Sequence, residues 1–382
     1  IFFMDENWFT NKSVWSRFKN AYLKDSDLKK FWKKISKENF DNDLINLINS
    51  YVNSKSYDFS SKFWNILNIR HINQIKDLGI ENFATTVAMS YFTFIVYDDK
   101  KIEKLIEFIK LNNINSRDYS YQIYKKQINI DLTHSINHNV LLNLLYAYVK
   151  HTKLDRYLPI LEKNNFLIDK VPNIEINNNL LTQDKLNSII EFENIEKFLR
   201  TIKSSNLNIL EIGAGSGRTT ETLISLLSEG KQIKYVIVDI PPALYINYLR
   251  MKNNYKNKNI HVCYDINNEN DFNKVFEDND IILMLPHHLD YLKSKIFDIT
   301  IAIDCLHEMD KKIIKYYMDK IDIISKNLYF KVWNETYLAY SFNNHLKAKD
   351  RKSYFIKNNW ELISQENCIF PSNYIETIYK IN

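Results

Sequence analysis

The sequence predicts an α/β chain with a mainly α-helical N-terminal domain over residues 1–172 and a mostly parallel sheet within 173–382. Three observations carry this. Apolar residues before about position 170 recur at helical spacing, with Gly79, Pro159 and Pro172 the only glycine or prolines there. After about position 180, short apolar runs alternate with helical patterns, as in strand–helix units. The chain has only five glycines, and three of them fall between Gly213 and Gly217.

In the first half, Leu44, Leu47, Ile48 and Tyr51 make a helical stripe behind Asp41 and Asp43, which suit an N-terminal cap. Phe83 to Tyr97 is the longest apolar run. Thr85, Thr86, Ser90 and Thr93 interrupt it, it falls short of the ~18 residues of a membrane span, and a buried helix is expected there. Leu141, Leu144, Leu145 and Tyr148 form another stripe, and the Asn-rich stretch Asn173 to Asn179 after Pro172 is the expected linker. The strand candidates are Leu207–Ile212, Tyr235–Val238, Ile281–Leu285, Ile299–Ile303, Leu328–Val332, Glu361–Ser364 and Ile375–Ile381. Several are continuously apolar, as strands covered on both faces are.

With 382 residues, 45% hydrophobic and 25% charged, the chain is long enough for two or three domains and is not wholly disordered. A net charge of +5 over this length is too weak to suggest a nucleic-acid partner. Cys263, Cys305 and Cys368 form no CxxC and no disulfide framework, so a reducing, cytoplasmic location is expected. The chain opens on Ile1, which leaves open a missing native start and a removed signal peptide.

The centre of the chemistry is Glu211-Ile-Gly213-Ala214-Gly215-Ser-Gly217-Arg218, between a strand pattern and a helix pattern. Glycine permits the positive φ of a tight turn and lets backbone N–H groups at a helix start approach a ligand. The dinucleotide fingerprint GxGxxG does not match, because Arg218 stands at its last glycine position, and no Walker GK[ST] is present. A ligand without pyrophosphate, carrying an amino-acid tail and a ribose, suits the turn better, with Glu211 placed for an ammonium group. Asp239 closes the next strand 22 residues after Gly217, where a carboxylate can accept both hydroxyls of a ribose. Ile240 and then Pro241-Pro242 lead into the following helix.

These residues, together with Asp239-Ile-Pro-Pro-Ala-Leu-Tyr and Asp304-Cys-Leu-His307-Glu308-Met309, resemble a class I S-adenosylmethionine-dependent methyltransferase. The Asp-Ile-Pro-Pro and Glu-Met segments are similar to the sugar O-methyltransferases of bacterial surface-polysaccharide clusters. The resemblance covers about residues 172–340, including Leu181-Thr-Gln-Asp-Lys-Leu-Asn187-Ser. It implies a Rossmann-like, seven-stranded sheet with a reversed final hairpin. It also implies S-adenosylmethionine as donor, S-adenosylhomocysteine as product and a sugar or glycan hydroxyl as acceptor. Glu211, Gly213, Ala214, Gly215 and Gly217 would then line the methionine end and Asp239 with Ile240 the ribose. Either Asp265 or the Leu285-Pro286 turn would close the adenine pocket, the latter being favoured because its strand is stronger. The chain departs from the family in carrying Ala302 and Cys305 where an amide or hydroxyl residue is usual.

Methyl transfer to a hydroxyl oxygen needs positioning and a base for a weakly acidic proton. His307 is the first choice of base, since imidazole titrates near neutral pH, with Glu308 or Asp304 orienting it, and Glu308 is a competing base. The competing structural roles are a core or capping histidine and a helix-turn acid. Asp304, His307, Glu308 and Asp310 are also ligand types for Mg²⁺, but their spacing matches no metal motif and no metal site is assigned. His287-His288 suits either a pocket wall or a solvated turn, the turn being favoured. Trp8, Trp15, Phe18, Trp32, Phe63 and Trp64 suit either a sugar-stacking surface or the core. Lys100-Lys101, Lys125-Lys126 and Lys347 to Lys352 fit either an anionic acceptor or a solvated face. The N-terminal helices are assigned to an acceptor lid or a homodimer contact. The alternatives to a sugar acceptor are a small metabolite, a protein side chain, or a catalytically inactive binding protein.

Overall fold

The computed structural model describes residues 25–35, 37, 40–54, 60–85, 101–114, 135–163, 166–167, 170–171, 173–176, 179–227, 231–264, 266–335 and 346–382. Trp8, Trp15, Phe18, Lys100, Lys125, Lys126, Asp265, the side chain of Phe63 and most of the Phe83–Tyr97 run lie outside them. The chain forms two compact units. One holds the described residues of 77–202 with 368–373; the other holds those of 25–76 with 203–367 and 374–382.

In the first unit, α4 (Glu103–Leu111), α5 (Ser135–His151) and α6 (Gln183–Leu199) pack together, α5 touching both others. Leu141, Leu144 and Leu145 are buried on α5 as their spacing predicts, and Phe108 meets Tyr148 edge-on at 4.6 Å. Phe83 is buried in a 3₁₀ helix, Ile80–Thr85, rather than in an α-helix. The Asn-rich stretch is not a bare linker. Its ends pair antiparallel as β1 (Asn173–Ile176) and β2 (Asn179–Thr182), with Ile174 opposite Leu181. The asparagines mask a short apolar alternation that only the pairing reveals. Thr182 then caps α6, its Oγ1 accepting the Lys185 N–H at 3.2 Å.

The second unit begins with α1 (Asp25–Ile35), α2 (Asn42–Asn53) and all but the last two residues of α3 (Lys62–Leu78). Asp41 caps α2 by accepting the Asp43 N–H at 2.9 Å, and Leu44, Leu47, Ile48 and Tyr51 are buried. The sheet follows, from β3 (Asn206–Ile212), β4 (Gln232–Val238), β5 (Ile260–Val262), β6 (Ile281–Met284), β7 (Ile299–Ile303), β8 (Asn327–Trp333), β9 (Glu361–Asn367) and β10 (Tyr374–Lys380). Its order is β5-β6-β4-β3-β7-β8-β10-β9. All neighbours are parallel except β10, which runs antiparallel to β8 and β9. The sheet is Rossmann-like and mainly parallel, with the reversed final hairpin that the resemblance implies. All seven expected strands are present, and β5 adds an eighth at the edge; three residues are too few to show a pattern in sequence. Between strands run α7 (Arg218–Leu227), α8 (Ala243–Asn254), α9 (Glu269–Asp278) and α10 (Lys311–Ile324). Every residue of β7 is buried, the signature of a central parallel strand covered on both faces. The chain turns to β4 on one side of β3 and returns to β7 on the other, so the strand order reverses between β3 and β7. A crevice outside the strand carboxyl ends is expected at such a reversal.

Candidate active site at the strand reversal

The glycine turn leaves β3 with positive φ at Gly213 (70°), Gly215 (55°) and Gly217 (83°). Steric exclusion enforces two of these. A Cβ on Gly213 would stand 2.4 Å from Cys305 Cβ, and one on Gly217 would stand 2.6 Å from Asn247 Oδ1. The Gly213 N–H continues the ladder to the Val238 carbonyl at 2.8 Å, and the Gly217 N–H closes the turn on the Ala214 carbonyl at 2.9 Å. Arg218, not a glycine, then opens α7.

Asp239 holds this turn from the end of β4. Its Oδ2 accepts the Gly215 N–H and its Oδ1 the Ile240 N–H, each at 2.7 Å. Burial in the crevice pushes its carboxyl up to about 7, the nearby Glu211 carboxylate adds to this, and the two N–H groups oppose it. Glu211 is buried below the turn, where its Oε2 accepts Thr220 Oγ1 at 2.6 Å and Tyr235 Oη at 2.7 Å. Burial and that carboxylate hold the Tyr235 phenol well above its usual range.

Across the reversal, β7 ends in Asp304 with φ 57°, a left-handed conformation uncommon for a residue bearing a Cβ. Asp304 Oδ2 lies 3.4 Å from the Arg218 guanidinium, so an ion pair ties the start of α7 to the end of β7. Cys305 tucks beneath Gly213 and its thiol donates to the Ile212 carbonyl at 3.2 Å. Burial first, and then the surrounding carboxylates, raise that thiol well above its ordinary range. The 3₁₀ helix Leu306–Glu308 carries the two base candidates. His307 is buried, stacked on Trp333 with centroids 4.0 Å apart and met edge-on by Tyr374 at 5.3 Å. Its Nε2 lies 4.0 Å from Glu308 Oε1. Glu308 is the more open of the two, and its Oε2 accepts the indole N–H of Trp64 at 3.0 Å.

Trp64 comes from α3, which α2 supports: the Tyr51 hydroxyl lies 2.7 Å from Asn65 Oδ1 and 2.8 Å from Ser60 Oγ. α2 in turn is fastened beyond β5, where the Tyr264 hydroxyl donates to Asp43 Oδ1 at 2.9 Å.

At the end of β6, beside β4, stands the Leu285-Pro286 turn. The Leu285 N–H donates to His288 Nδ1 at 3.1 Å, so the His288 proton sits on Nε2. The histidine pair is a turn, but not a solvated one. His288 is fully buried, and burial pushes its pKa down to about 3 and that of His287 down to about 4. The two rings pack on each other, centroids 3.9 Å apart, in place of the expected solvation.

The residues singled out from sequence therefore gather at adjacent strand ends: Leu285 and Pro286 at β6, Asp239 and Ile240 at β4, Glu211 to Gly217 at β3, and Asp304, His307 and Glu308 at β7. Asp304 pairs with Arg218, and the described contacts of the His307 ring are Trp333, Tyr374 and Glu308. Asp310 precedes α10 and is buried. The supporting residues Thr220, Tyr235, Asn247 and Trp333 carry no signal of their own in the sequence, and Arg218 and Trp64 are named there without their partners Asp304 and Glu308. Apart from Thr220, nine residues from Glu211, their partners lie more than twenty residues away, and no local pattern encodes them. Among the described residues, no group of three or more His, Cys, Asp or Glu is arranged to hold a metal ion, and no helix is long and apolar enough to cross a membrane. The three cysteines are buried.

No protein-family model matches the chain, and no curated protein matches it. Solved structures similar to it include magnesium protoporphyrin IX methyltransferase from Synechocystis with bound S-adenosylhomocysteine, at 12% identity and a TM-score of 0.34 over 62% of this chain and 96% of that one. An S-adenosylmethionine-dependent methyltransferase from Clostridium acetobutylicum is 12% identical, with a TM-score of 0.33 over 51% of this chain and 92% of that one. Phosphoethanolamine N-methyltransferase 1 from Haemonchus contortus is 12% identical, with a TM-score of 0.33 over 63% of this chain and 49% of that one.

Proposed function

We propose that this chain is an S-adenosylmethionine-dependent O-methyltransferase acting on a sugar hydroxyl of a surface glycan or its nucleotide-linked precursor. One observation carries the proposal. A left-handed glycine turn clamped by Asp239 and a His307–Glu308 pair stand at the carboxyl ends of β3 and β7, the two strands that flank the reversal.

The residue chemistry fits the donor. Each Asp239 oxygen spends one lone pair on a backbone N–H and keeps another for one hydroxyl of a ribose diol. Glu211, fixed by Thr220 and Tyr235, supplies negative charge beneath the turn for an ammonium group. Leu285 and Pro286 give an apolar wall beside Asp239 for an adenine ring. When bound, S-adenosylmethionine supplies a methyl group on a sulfonium leaving group.

On the acceptor side, the His307–Glu308 pair takes the hydroxyl proton. Glu308 is the more exposed of the two, and His307, locked by Trp333 and Tyr374, sits 4.0 Å from it. Trp64 fixes Glu308 through its indole N–H and offers an aromatic face of the kind that sugar rings pack on. The sugar acceptor itself rests on the sequence resemblance and on this pairing of an aromatic with a carboxylate.

Calorimetric titration with S-adenosylhomocysteine tests the donor half, with saturable one-to-one binding expected. Transfer of labelled methyl from S-adenosylmethionine to a panel of nucleotide-sugars and purified glycans tests the acceptor half. Binding without transfer to any sugar would move the reading to another acceptor, and no binding would remove it.

A further inference from the structure

Against the glycine turn, α8 presents Asn247 and Arg250, which with Asn254 are spaced to share one face. Arg250 is buried. Its Nη1 donates to the Ser216 carbonyl and lies near Ser216 Oγ, both at 3.1 Å, while its Nη2 pairs with Glu221 Oε2 at 2.5 Å. Glu221 sits in the first turn of α7, also accepts from Asn254, and is backed by the Tyr255 hydroxyl, which donates to the Glu221 carbonyl at 2.7 Å. The Asn247 amide, fully buried and without a hydrogen-bond partner among the described residues, occupies the space that a side chain at Gly217 would need. The fork of one guanidinium thus fixes the peptide between Gly215 and Gly217 and the first turn of α7 at once.

We propose that Arg250 is a positioning residue for donor binding: through the Ser216 carbonyl and Glu221 it holds the glycine turn in its ligand-ready shape. This rests on the donor reading above. Arg250 touches no ligand in this scheme. Its effect passes through the orientation of one peptide group, as supporting residues act on the groups they brace.

The test is calorimetry with S-adenosylhomocysteine on the full chain, with melting temperatures measured alongside. Arg250→Lys keeps a positive charge facing Glu221 but loses the fork that reaches Ser216. Its dissociation constant is expected to rise about tenfold, the scale on which supporting residues act at other sites. Ile314→Val, a core change on α10, serves as the stability control and should leave the constant within about twofold of wild type. An Arg250→Lys constant within about twofold of wild type overturns the inference, as does an Ile314→Val constant that rises equally. If Arg250→Lys does not fold, Glu221→Gln takes its place. About threefold weaker binding supports the inference and unchanged binding overturns it. A wild-type chain that takes up no S-adenosylhomocysteine overturns the donor reading, and this inference with it.

Discussion

The carboxyl ends of β3 and β4 and those of β7 and β8 are built by opposite means. At β3 and β4 the backbone provides the surface. Three left-handed glycines follow one another, and a carboxylate 24 residues from Gly215 receives its N–H. At β7 and β8 side chains do so: a 3₁₀ helix of three residues carries His307 and Glu308, with Trp333, Tyr374 and Trp64 arriving from distant segments. A backbone-built site tolerates few residue types and so leaves a mark in sequence. A side-chain-built site can be assembled from many sequences and leaves little.

If the contrast is right, damage on the two sides must separate by readout. The largest effect is expected from Glu308→Gln, which should cut methyl transfer by about 10²- to 10⁴-fold while leaving S-adenosylhomocysteine affinity unchanged in calorimetry. His307→Ala should act in the same direction. Full turnover in either variant removes that residue from the proton-accepting role.

Gly213→Ala attacks the other side. It must hold alanine at φ 70° with its Cβ 2.4 Å from Cys305, and donor affinity should fall by about 100-fold or more. Wild-type affinity in the same titration would show the glycine turn to be merely a connection.

Asp239 sharpens the contrast through pH. A carboxyl raised to about 7 is mostly protonated at pH 6 and mostly charged at pH 8, so donor affinity should rise about tenfold between them. Asp239→Asn should bind more weakly and show a flat profile. Stability without ligand runs the other way. The folded state binds this proton more tightly than the unfolded state, so the contribution of Asp239 is largest at low pH and is lost as pH rises toward 7. The smallest effect is expected from Trp64→Phe, which deletes one N–H donor to Glu308 and should lower turnover about fivefold with donor affinity intact.

Much of this architecture is legible before any coordinates. The stripe Leu44, Leu47, Ile48, Tyr51 and its Asp41 cap appear as helix α2, and the run Ile299–Ile303, apolar but for Thr300, is β7 to the residue. Asp239 meets the glycine turn because both must sit at neighbouring strand ends. What stays hidden is either short or non-local. β5 spans three residues, and β1 and β2 are legible only as a pair. The bond from Trp64 to Glu308 joins residues 244 apart, which no local periodicity encodes. The burial of His288 is hidden for a further reason, because a ring that accepts one N–H and packs on its neighbour loses the polarity that places histidine at the surface.

The bond between Asp43 and Tyr264 joins positions 221 residues apart. At the usual ribosomal pace of roughly 5–20 residues per second, α2 emerges some 10–40 s before its anchor is translated. For that interval α2, with its stripe of Leu44, Leu47 and Ile48, waits without this anchor, so slow elongation lengthens the time it stays unfastened.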